Sequence, residues 1–65
     1  MTTTPMNLYH VRVYDWDQNS RWAYLVSNFS EEGARDQVRL DLPFNVRVVD
    51  VTPICTTYDD VFTEV

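Results

Sequence analysis

Residues 14–24, YDWDQNSRWAY, set the rings of Tyr14, Trp16, Trp22 and Tyr24 around one short polar run. Three chemistries compete for this stretch. The first is calcium binding, because Asp15-x-Asp17-x-Asn19-Ser20 matches the opening of an EF-hand loop. Such a loop needs glycine at its sixth position for a sharp turn and a bidentate carboxylate at its twelfth. Those positions hold Ser20 and Val26. Asp and Asn are also ordinary turn residues, since their side chains hydrogen-bond the nearby backbone. No metal is expected here.

The second chemistry is base stacking on the rings, with Arg12, Arg21 and Arg47 contacting phosphates. The charge of the chain opposes it. Ten carboxylates face five arginines with no lysine, a net charge of −5. Neutralisation of phosphates supplies most non-specific affinity for nucleic acid, so a nucleic-acid partner is not expected. The same acidity suits a protein partner with a basic surface. The third reading makes the rings cross-strand pairs of a hairpin, with any ring left uncovered available for contact.

Catalysis finds little support. His10 is the only histidine and Cys55 the only cysteine, far apart in the chain, so no nucleophile–base pair is implied. Gly33 is the only glycine, which leaves no glycine-rich phosphate loop. The expectation is a non-enzymatic chain with no catalytic residues and no cofactor. Cys55 cannot form an intrachain disulfide and reads as a small hydrophobe, and a lone thiol fits a reducing compartment. The closing Thr63, Glu64 and Val65 have the form that carboxylate-binding domains recognise, a pattern short enough to arise by chance.

The elements that position these residues follow from periodicity. Tyr9, Val11 and Val13 alternate with His10, Arg12 and Tyr14, which predicts a first strand ending near Asp15. Residues 22–29 are rich in aromatic and β-branched types and predict a second strand, joined to the first through Asp17, Gln18, Asn19 and Ser20. Ser30 is a helix N-cap; Glu31 and Glu32 favour the positive end of the helix dipole, and Phe29 is placed to staple onto Ala34. Ala34, Val38 and Leu42 form one apolar stripe, and Pro43 predicts a helix end near Asp41. Residues 44–52 predict a third strand whose alternation changes phase between Val48 and Val49, the mark of a bulge or of burial on both faces. Pro53 ends that strand or places it at a sheet edge.

The expected fold class is α+β. It is a ββαβ(β) mini-domain with a small antiparallel sheet, ordered 2-1-3, and one helix on one face. Residues 1–7 read as a disordered leader, 8–58 as the single domain, and 59–65 as a tail or short extra strand. No apolar run reaches the length of a membrane span and the N-terminal residues lack the features of a secretory signal, which points to the cytoplasm.

A single helix hides one sheet face only. If Trp16 pairs with Trp22, then Tyr9, Val11, Val13, Ala23, Leu25 and Phe29 lie under it, and Tyr14, Trp16, Trp22, Tyr24 and Val26 are exposed beside His10 and Arg12. A register one residue different leaves Leu8, Tyr14, Ala23, Leu25 and Phe29 uncovered instead. Either the segment with Tyr58, Val61 and Phe62 folds over that side, or a partner or second copy does.

This layout resembles small acidic ββαβ proteins of phages and mobile elements, among them anti-CRISPR and anti-restriction inhibitors. The resemblance rests on the hairpin, the helix start at residues 30–34 and the strand at residues 46–51. It implies a stoichiometric inhibitor of a host or defence protein. In such an inhibitor Asp15, Asp17, Glu31, Glu32, Asp36, Asp59 and Asp60 would present carboxylates to a basic groove. Together with Arg12, Tyr14, Trp16, Trp22 and Tyr24 they are the candidate contact residues. A self-assembling protein that oligomerises through the uncovered face is the alternative.

Overall fold

Alternating apolar side chains and a tight polar turn draw the first half of the chain into a hairpin. In the computed structural model, which describes residues 6–57 and 61–65, β1 (Met6–Asp15) and β2 (Ser20–Asn28) pair antiparallel from Asn7 opposite Asn28 to Asp15 opposite Ser20. The turn spans residues 16–19 and closes at Asn19, whose φ of 51° is left-handed. Asn tolerates this conformation better than most residues. Residues 1–5 of the expected leader, and Tyr58, Asp59 and Asp60, lie outside the described residues. Met6 and Asn7 already belong to β1.

Helix α1 (Glu31–Asp41) begins and ends where local chemistry demands. The Ser30 hydroxyl accepts from the Gly33 N–H at 3.0 Å, satisfying one orphan donor of the first turn. Leu42 is extended, as the residue before a proline prefers, and the helix stops. Ala34 and Val38 are fully buried and Leu42 packs against the same core. Phe29 departs from expectation. It stays 59% exposed rather than burying itself against the first turn.

β3 (Val46–Thr57) pairs antiparallel with β1 and carries two register shifts. The first leaves Val49 as an extra residue between the pairs Arg12–Asp50 and Val13–Val48, where the alternation changes phase. The second leaves Ile54 extra, directly after Pro53. The missing N–H of Pro53 is tolerated because β3 is an edge strand.

The sheet order is β3-β1-β2-β4, all neighbours antiparallel, where β4 (Phe62–Glu64) lies against β2. The three longer strands follow the expected order. The detail that differs is β4, which extends the sheet at the β2 edge instead of layering over the open side. Its Phe62 ring packs against Tyr24 with centroids 5.4 Å apart.

The core lies between α1 and one sheet face. Tyr9, Val11, Val13, Val26, Val46 and Val51 meet Ala34 and Val38, with Trp22, Tyr24, Leu42 and Val48 packed around them. Of the two registers the sequence leaves open, this is the second. Trp16 sits in the turn and cannot pair with Trp22, which lies opposite Val13. Among the described residues no helix is long and apolar enough to cross a membrane.

Candidate protein-binding face

Register decides which side chains share the uncovered face, because residues directly opposite in adjacent strands point the same way. Tyr14 stands opposite Arg21 of β2 and Arg47 of β3, forming one cross-strand row. Next comes Asp50–Arg12–Ala23, then Thr52–His10–Leu25–Thr63, then Cys55–Leu8–Ser27. An open depression of about 640 Å³ runs over the first rows, bordered by His10, Arg12, Tyr14, Arg21, Arg47 and Val65.

The four rings of the opening stretch therefore separate. Trp22 and Tyr24 lie on the helix side, half-buried against the core. Tyr14 stands on the open face, and Trp16 is 46% exposed at the turn. The cause is the four-residue turn, which pairs odd positions of β1 with even positions of β2. That parity puts Trp22, Tyr24 and Val26 on the helix side and leaves Ala23, shielded by its neighbours, and the half-buried Leu25 on the opposite face.

Electrostatics distinguish the open face from the rest of the molecule. Among the described residues, three guanidinium side chains stand on it against one carboxylate side chain, Asp50. Arg12 donates through Nε and Nη2 to both Asp50 oxygens, with the Nε contacts at 2.9 Å. This hydrogen-bonded pair, with the attraction between the charges, holds the Asp50 carboxyl below the usual carboxylate range and raises the Arg12 guanidinium. Arg21 and Arg47 have no carboxylate partner among the described residues; each lies over a ring instead. Arg21 is 5.7 Å from the Tyr14 centroid and Arg47 is 4.8 Å from that of Trp16. The Tyr14 hydroxyl donates to Asn19 Oδ1 at 2.7 Å, which orients the ring. A stacked guanidinium keeps its N–H edge free, the edge that grips a carboxylate or phosphate.

The carboxylate candidates do not form one patch. Asp15 is buried, and its Oδ1 accepts from the N–H groups of Asp17 and Gln18 and from Asn45 Nδ2, at 2.9, 3.2 and 3.0 Å. It builds the turn and is closed to a partner. Asp17 is exposed at that turn. Glu31 and Asp36 face Arg35 and Arg39 along the helix surface, each pair at 3.9 Å, and Glu32 is exposed beside them. Asp59 and Asp60 lie outside the described residues.

His10 and Cys55 both sit on the open face, on neighbouring strands, with no hydrogen bond between them among the described residues. Arg21 and Arg47 entered the sequence reading only as phosphate contacts; recognising them as neighbours of Tyr14 required the register. A second apolar surface also escaped that reading. Phe44 and Leu40 are 96% and 89% exposed at the far end of the helix, outside the core. Phe44 falls two residues before β3, so strand alternation does not bury it.

The chain matches no protein-family model, no curated protein and no solved structure.

Proposed function

We propose that this chain is a non-enzymatic protein-binding module that blocks a host or defence protein stoichiometrically, using the open face of its sheet. One observation carries the reading. The helix covers a single face, and the other presents Tyr14, His10, Leu8 and Leu25, each half-buried, together with two guanidiniums that no carboxylate among the described residues neutralises. Large side chains that no second layer of the fold covers are characteristic of interfaces. The edge of β3 is a poorer docking site. Two bulges and Pro53 interrupt its outer hydrogen-bonding groups, the usual protection against strand addition.

Self-assembly through the same face is disfavoured by charge. Two copies stacked there would set, among the described residues, three guanidinium side chains and one carboxylate side chain against an identical set. Like charges brought together at an interface oppose association. The chain is expected to scatter light as a monomer at high concentration.

The test is affinity capture from the lysate of a host cell, comparing the native chain with two double variants. Tyr14→Ala with Leu25→Ser is expected to reduce recovery of a stoichiometric partner at least tenfold. Leu40→Ser with Phe44→Ser, on the other side, leaves it unchanged. Recovery that survives the first pair and falls with the second contradicts the reading.

A further inference from the structure

The total charge of the chain suggests a basic partner, yet the open face carries the opposite local sign. We propose that the Arg47–Tyr14–Arg21 row is a carboxylate-receiving site, and that the partner segment docking on the open face is acidic. This rests on the protein-binding reading above and names the chemistry of what binds.

Two features of the row point to an oxyanion ligand. Arg21 and Arg47 have no carboxylate within ion-pair distance among the described residues, whereas Arg12, Arg35 and Arg39 each have one. Each free guanidinium is held by an aromatic ring, so little side-chain freedom is lost when its N–H edge takes up an anion. The two arginines flank Tyr14 from opposite sides, on strands separated by β1. Their backbones therefore lie roughly 10 Å apart, two inter-strand spacings. Carboxylates two residues apart on an extended segment project to the same side about 7 Å apart, somewhat closer together than the two arginine backbones. Leu25 and Val65, beyond Arg12 and Ala23, offer apolar contact to the same segment.

A single-stranded nucleic acid is the competing anion, and the rings argue against it. Stacking needs an aromatic face free to receive a base. Tyr14 and Trp16 each already have a guanidinium on one face, which leaves at most one face of each ring for a base. The helix carboxylates Glu31 and Asp36 are within ion-pair distance of Arg35 and Arg39 and not of the row's arginines. They do add to the repulsion of a long polyanion at low salt.

Fluorescence anisotropy with the full chain tests the proposal. The probes are a fluorescein-labelled peptide of alternating glutamate and threonine, its glutamine counterpart, and a length-matched oligothymidylate. The acidic peptide is expected to bind and the glutamine peptide to bind at least tenfold more weakly. Added salt lowers the acidic peptide's affinity. Arg21→Gln with Arg47→Gln, with an unchanged circular dichroism spectrum, reduces that affinity at least tenfold. Arg47→Lys alone, which keeps the charge but loses the planar fork, gives an intermediate loss, and Arg35→Gln on the helix gives none. Unchanged affinity in the double glutamine variant or in Arg47→Lys, no binding of the acidic peptide at millimolar concentration, or tighter binding of the oligothymidylate would each overturn the proposal. If the captured partner still depends on Tyr14 and Leu25 while the acidic peptide fails to bind, this inference falls and the protein-binding reading stands. Dependence on Leu40 and Phe44 instead removes both.

Discussion

Gly33 shows how one residue links the hairpin to the helix. Glycine inside a helix costs about 1 kcal/mol relative to alanine, so replacement by alanine should stabilise if propensity alone decided. Its φ is not in the left-handed region, so the backbone does not require glycine. Space does. A Cβ at this position would run into Asn28 Oδ1 and approach Ser30 Oγ at 3.1 Å. The Asn28 carboxamide cannot easily move, because its Nδ2 donates to Gln37 Oε1 at 2.9 Å and its Oδ1 accepts from the Phe29 N–H at 2.8 Å. Gly33→Ala is therefore expected to destabilise the native chain. In an Asn28→Ala background the same change is expected to stabilise it, by about 0.5–1 kcal/mol. Chemical denaturation of the four proteins checks this, and equal effects in both backgrounds would contradict it.

At the scale of elements, β3 is the strand whose irregularities matter most. Its first bulge, at Val49, lies between the Arg12–Asp50 and Val13–Val48 pairs and brings Val51 back onto the core face. The ion pair at that bulge has a defined pH signature. Because the folded pKa of Asp50 is depressed, its contribution to stability is present above the ordinary carboxylate pKa and is lost as pH falls through the folded value. Asp50→Asn is expected to melt below the native protein at neutral pH and to converge with it in acid. A gap that stays constant or widens on acidification, in thermal unfolding followed from about pH 7 to pH 2, would contradict that. Several element-level features were legible in the sequence because a local rule determines each. Ser30 and Pro43 bound the helix, the phase change at Val48 and Val49 marks the bulge, and Pro53 marks an edge. Strand register was not legible, since it depends on how many residues the turn takes up. Trp16 reads equally well as the last strand residue or the first turn residue. β4 has three exposed residues and no alternation, so nothing in its sequence separates it from a tail. The candidate site was legible only as a set of residue types; which of them share a face followed from the register.

On the scale of the whole molecule, the two sides of one thin sheet carry different charge and different chemistry. The helix side buries the valines and displays carboxylates interleaved with Arg35 and Arg39. The open side holds Arg12, Arg21 and Arg47 around Tyr14 in a chain whose net charge is −5. Total charge governs solubility and long-range approach, whereas local charge governs what can dock. We propose the open face as the surface that meets another protein. Hydroxyl-radical footprinting of the chain, free and with its captured partner, tests this most directly. Protection of Tyr14, His10 and Leu25 is expected, with Phe44 and Leu40 as reactive as in the free chain. Protection of Phe44 and Leu40 with an unprotected Tyr14 would contradict it.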